Sequence, residues 1–99
     1  MALTVLSCNG QGAENTKSLI AEREKTHGSF DQNATTSQQL KAIFRTQPNY
    51  KELCPCHKEA LDMIASKIGR ILSGQADFAD HWRDISGYAT LAMDRCQDD

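Results

Sequence analysis

The chain has 99 residues, with 11 Lys and Arg against 13 Asp and Glu, for a formal net charge of −2. One domain of this length buries roughly 60–65% of the surface its unfolded form exposes, enough for one modest core. The charge balance argues against sequence-independent binding to duplex DNA, which needs many phosphate-neutralising cations, and no apolar run approaches the ~20 residues of a membrane span.

The opening, MALTVLSC, lacks the charged n-region of a secretory signal and is too short for one. The expected setting is therefore the cytoplasm, with Cys8, Cys54, Cys56 and Cys96 as reduced thiols. Residues 1–14, rich in Gly, Asn and Gln toward their end, read as a flexible arm ahead of a single α-helical domain over 15–99. A first helix is expected from about Asn15 or Thr16 to Lys25, with Leu19 and Ile20 turned inward and Gly28 as its stop. Ser29 and Gln32 have capping-box spacing for a second helix reaching about Arg45, with Leu40, Ile43 and Phe44 on its buried side. Its first half, DQNATTSQQ, is poor in strong helix formers.

Pro48 ends that segment, and Tyr50 to Leu53 fit one short turn. Pro55 suits the first position of a third helix, in which Leu61, Ile64, Ala65, Ile68, Ile71 and Leu72 form an apolar stripe as far as Ser73-Gly74. Asp77 is the expected N-cap of a fourth helix with Phe78, Trp82, Ile85, Ala89 and Ala92 as its stripe. Gly87 lies inside that helix at a cost of about 1 kcal/mol relative to Ala, which close approach of a neighbour would explain. The pattern is all-α: a compact bundle of about four helices, expected to be oligomeric.

The short link at Gly74-Gln75 makes the last two helices antiparallel neighbours. Facing residues then have numbers summing to about 150, which sets Arg70 opposite Asp80, Lys67 near Asp84, and Asp62 level with Tyr88. One reading is a polar pocket in which cations meet phosphates and carboxylates hold a divalent ion; the plainer one is two interhelical ion pairs on a solvated face. A magnesium site needs three or four converging carboxylates, and the positions facing Asp80 and Asp84 are cations. Cys54-Pro55-Cys56-His57 has the look of a metal half-site, but no second pair of ligands follows it. A helix start with Cys54 near the cap and Cys56 packing inward is the expectation there. His27, at a helix junction, and His81, beside Trp82, complete the candidates.

The segments EREKTHGSFDQNATTSQQLK and EALDMIASKIGRILSGQADFADHWRDISGYATL resemble a small phage- and prophage-encoded family of domains of unknown function. HGSF, ALDMIASKIGRILSG and DHWRDISGYA are the most specific pieces. Such proteins are distantly similar to MazG-like all-α nucleotide pyrophosphohydrolases, which carry two acidic pairs on separate helices. The nearest equivalents are Glu59 with Asp62 and Asp80 with Asp84, the second pair spaced by four rather than three. The resulting expectation is a non-catalytic phage accessory protein in the infected host's cytoplasm, with no cofactor, sequestering a nucleotide-like or phosphorylated ligand. Arg23, His27, Lys67 and Arg70 supply phosphate contacts, Asp80, Asp84 and Tyr88 orient the remainder, and His81, beside Trp82, offers a stacking surface. Two alternatives stand beside it. One is a Mg²⁺-dependent pyrophosphohydrolase using Glu59, Asp62, Asp80 and Asp84; the other is an inhibitor that binds a host defence protein.

Overall fold

A computed structural model describes residues 10–97, with side chains from residue 15 onward. Four helices follow in order: α1 Gly10–His27, α2 Phe30–Thr46, α3 Pro55–Ser73 and α4 Ala79–Asp94, with a 3₁₀ turn at Tyr50–Glu52 before α3. No strand occurs among the described residues, so the all-α bundle expected from the apolar periodicity is the fold. Residues 1–9 of the expected arm, and Cys8 with them, lie outside the described residues. Helix α1 begins at Gly10, earlier than expected, because no proline or strong stop separates Gly10 from Thr16.

Local chemistry accounts for the helix ends. The Ser29 hydroxyl accepts from the Gln32 amide at 3.1 Å, which is one half of a capping box. Pro55 opens α3 behind Cys54, whose backbone is extended, and Gly74 caps its far end through an amide bonded to the Arg70 carbonyl. Helix α4 starts one residue late, with Phe78 rather than Asp77 at the cap and no side-chain hydrogen bond there. Gly28 has φ +76°, and its amide closes α1 on the Glu24 carbonyl at 2.9 Å. A Cβ on Gly28 would stand 2.3 Å from the Ser73 carbonyl oxygen. Only glycine satisfies both demands.

Helices α2 and α3 pack most extensively, with α4 on the other flank of α3. At Gly69, α3 lies so near α2 that a Cβ would stand 2.9 Å from the Asn33 carbonyl oxygen. The last turn of α1 is tied to the rest: the Thr26 carbonyl accepts from the Gln75 amide at 2.9 Å. The apolar core is narrow, with Ala60, Ala65 and Ile71 buried beneath half-buried Leu61, Ile64 and Ile68.

Several side chains expected inside face water. Leu19, Ile20, Ile43 and Leu72 are exposed, Leu72 to 70%. Trp82 is 55% exposed, and its indole N–H donates to the Ala76 carbonyl at 2.8 Å. The inward face of α4 is instead Phe78, His81, Ile85, Tyr88 and Ala92. The helix is turned toward the preceding residues by part of one 100° step, which buries His81 and exposes Ala89. Gly87 has no neighbour within 4 Å of an added Cβ, so close approach does not explain it.

Candidate functional site

His81 is the largest fully buried side chain, 1% exposed. Its Nε2 lies 3.0 Å from the Thr26 carbonyl oxygen, which can only accept, so that nitrogen carries the proton. The same ring meets His27 edge-on at 4.8 Å and Phe78 at 5.0 Å between centroids. His27 Nδ1 contacts the Thr26 hydroxyl at 2.6 Å. Partial burial, reinforced by Arg23, His81 and Arg70, holds the His27 pKa below its usual value. At neutral pH this histidine is therefore a neutral hydrogen-bonding group, not a cation.

On the other side of His27 a cavity of about 280 Å³ opens between α1, α2 and α3. Arg23 and Glu24 line it from α1, Lys41 from α2, and Arg70 from α3. Ser37 and Ser66 form part of its wall, their hydroxyl oxygens 3.2 Å apart. Among the described residues Arg23, Lys41 and Arg70 make no ion pair. Burial and the like charge of Arg23 push the Arg70 pKa down, while Asp84 and Tyr88 partly offset this. Three cations thus face one cavity against a single carboxylate, Glu24.

Lys67 and Asp84 form the interhelical ion pair expected from the register, at 2.8 Å, with Lys67 12% exposed. The Lys67 ammonium holds the Asp84 carboxyl below its ordinary range. Arg70 does not pair with Asp80. Arg83, one turn further along α4, takes that carboxylate instead, because an i,i+3 partner is always within reach. Arg70 therefore stays on the cavity.

Of the sequence-derived ligand set, the cavity gathers Arg23, His27 and Arg70. Lys67, Asp80, Asp84 and Tyr88 lie off it, and His81 is sealed behind His27. The carboxylates Glu59, Asp62, Asp80 and Asp84 do not assemble: no group of three or more ligand atoms among the described residues includes them. Asp62 Oδ1 is buried without a hydrogen-bond partner among the described residues. Lys41 was not foreseen, since Leu40, Ile43 and Phe44 were expected to form the inward face of α2, whereas Ile43 is exposed.

The group that does assemble is Cys54, Cys56 and His57 at the start of α3. Cys56, expected to pack inward, is exposed, as are Cys54 and Cys96, and all three are free thiols. Hydrogen bonding from Cys56, helped by the His57 amide, lowers the Cys54 thiol to about 6. The Cys56 thiol is raised by the same contact, and the Cys54 sulfur raises His57.

The chain belongs to the family described as Domain of unknown function (DUF6378), which matches residues 13–96. No curated protein shows a significant match, and neither does any solved structure.

Proposed function

We propose that the chain is a non-catalytic binding protein that holds a phosphate-bearing, nucleotide-like small molecule in the cavity between α1, α2 and α3. The observation that carries this reading is the convergence of Arg23, Lys41 and Arg70 on one cavity with no ion pair among the described residues. Cations held together against their mutual repulsion favour an anion, and arginine suits phosphate through its planar fork of donors. His27, neutral at pH 7, adds a hydrogen bond without further charge. A volume of about 280 Å³ lies just below the usual ~300–1,000 Å³ of small-molecule sites. It suits the phosphate end of a mononucleotide better than a whole dinucleotide. Sequestration of a host signal or metabolite by a phage accessory protein is the biological setting this reading fits, and a homo-oligomer would cover exposed Leu19, Ile20 and Trp82.

The test is thermal unfolding against mono-, di-, tri- and cyclic nucleotides, with and without Mg²⁺. A ligand at 100 times its dissociation constant stabilises the folded state by about 2.7 kcal/mol. Arg70→Gln should weaken binding roughly 10- to 100-fold, since a charge-assisted bond contributes about 1.5–3 kcal/mol. No shift with any nucleotide overturns the proposal.

The Mg²⁺-dependent pyrophosphohydrolase reading has one specific support, the unpartnered Asp62 Oδ1. It requires Asp84 to leave Lys67 and Asp80 to leave Arg83, so that both join Glu59 and Asp62 around the ion. Magnesium-dependent pyrophosphate release, lost in Asp84→Asn, is the outcome it demands.

A further inference from the structure

Where α3 begins, Cys54, Cys56 and His57 bring two sulfurs and a ring nitrogen within 4.8 Å of one another, away from the residues that line the cavity. The two Sγ atoms lie 2.8 Å apart. His57 Nδ1 is 2.8 Å from Cys54 Sγ and 4.0 Å from Cys56 Sγ. A tetrahedral Zn²⁺ with Zn–S of about 2.3 Å and Zn–N of about 2.0–2.1 Å sets sulfurs ~3.8 Å apart and sulfur from nitrogen ~3.6 Å. Each separation here is within about 1 Å of those values. Both cysteines are exposed, so small rotations about χ1 close the difference without repacking.

Pro55 assists this arrangement. It leaves Cys54 in an extended conformation, φ −71° and ψ 161°, and starts the helix at once, so the thiol before the helix and the thiol in its first turn fall on one side. The imidazole is already oriented. His57 Nε2 lies 2.8 Å from the Ala92 carbonyl of α4, which can only accept; Nε2 therefore donates, and Nδ1 offers its lone pair toward the sulfurs. A carbonyl holding the far nitrogen is the usual outer support of a metal-binding histidine. Cys96 sits at that far nitrogen, 3.6 Å from Nε2, and is outside the donor group. Two sulfurs and one imidazole select soft or borderline cations and disfavour Mg²⁺ and Ca²⁺, which take oxygen ligands.

We propose that Cys54, Cys56 and His57 bind one thiophilic d¹⁰ cation, Zn²⁺ or Cu⁺, at the start of α3, with the remaining coordination position open to solvent. The site is independent of the cavity and of any nucleotide. Because His57 is tied to α4, binding also fastens the start of α3 to the end of α4.

The experiment titrates the full chain, reduced and free of metal, with Co²⁺ as a spectroscopic probe. It then titrates Zn²⁺ and, anaerobically, Cu⁺, each against a chromophoric chelator. The expected result is one equivalent bound with a thiolate-to-cobalt charge-transfer band, and the tighter of the two competitions assigns the metal. Cys54→Ser and Cys56→Ser each weaken binding on the order of 100-fold or more, and His57→Ala does so by at least the ~10–100-fold typical of losing an outer-shell partner. Cys96→Ser leaves it unchanged. Zn²⁺ raises the unfolding midpoint of the native chain but not that of the Cys54→Ser/Cys56→Ser variant, whose helical circular dichroism is retained because both side chains are exposed. The proposal is overturned by no stoichiometric binding, by binding that survives the double variant, or by a Cys54–Cys56 disulfide that persists in excess reductant.

Discussion

Two histidines in this protein are anchored alike and do different things. His81 and His57 each give an Nε2 proton to a backbone carbonyl of another helix, Thr26 at 3.0 Å and Ala92 at 2.8 Å. His81 is sealed, its ring packed edge-on against His27 and Phe78. His57 stands at the rim, its second nitrogen turned to two exposed thiols. The same bond is a lock at the closed junction of α1, α3 and α4, and an orienting device at the open start of α3. Water access separates the two roles. A polar group shut away from water is costly unless satisfied, so it is spent on the fold, whereas an exposed one remains free for a ligand.

The sharpest way to break the comparison is at the junction. Gly28→Ala forces a side chain into a left-handed backbone conformation and onto the Ser73 carbonyl. It should lower unfolding free energy by about 2–4 kcal/mol in urea melts. The Cys54→Ser/Cys56→Ser variant, at the open corner, should stay within about 0.5 kcal/mol of the parent. Equal costs would erase the distinction.

His81→Ala comes next, at about 1–3 kcal/mol, because it removes a buried ring and the donor to Thr26. His57→Ala in the metal-free chain should cost clearly less. A third contrast is in titration, followed by NMR of the imidazole protons. His27 should titrate below 6.5, held down by burial, and His57 above it, held up by Cys54. The signs for stability are opposite. Below about 6.5 the unfolded chain takes up the His27 proton more readily than the folded one, so that contribution declines as pH falls from 6.5 through the folded pKa. The His57 contribution is complete below 6.5 and is lost as pH rises through its raised folded value.

The smallest effect concerns reactivity. With the Cys54 thiol at about 6 and Cys56 pushed up, iodoacetamide at pH 7 should label Cys54 before Cys56, with a rate that reaches half its plateau near pH 6. Peptide mapping by mass spectrometry reads the order directly, and equal labelling would mean the two thiols do not interact.

Much of the architecture was legible in the residues, and the candidate cavity only in part. The short Gly74-Gln75 link placed Lys67 against Asp84, as found, because an antiparallel register follows from loop length. The same arithmetic failed for Arg70 and Asp80, since it ignores a competitor on the same helix, Arg83. Arg23, His27 and Arg70 share a cavity, but Lys41 escaped notice because the inward face of α2 was assigned with Ile43, which is exposed. The thiol group was visible as C-P-C-H, yet spacing alone could not reveal that Pro55 would turn both sulfurs to one side or that Ala92, 35 residues away, would orient the ring.

Local residues set several of the helix ends, though not the start of α1 or the cap of α4. Ser29, Pro55, Gly28 and Gly74 act through bonds within a few residues of themselves, so their effect needs no knowledge of the fold. Only the tertiary structure decided which side of each helix is inside. Counted from its cap, α4 carries Phe78, His81, Trp82, Ile85, Tyr88, Ala89 and Ala92 over about a third of its circumference, and Leu91 and Met93 widen that arc to more than half. Several rotations would bury a similar apolar area. The choice fell to His81 because the Thr26 carbonyl at the end of α1 offered a partner that Trp82 had already found closer to home, at Ala76.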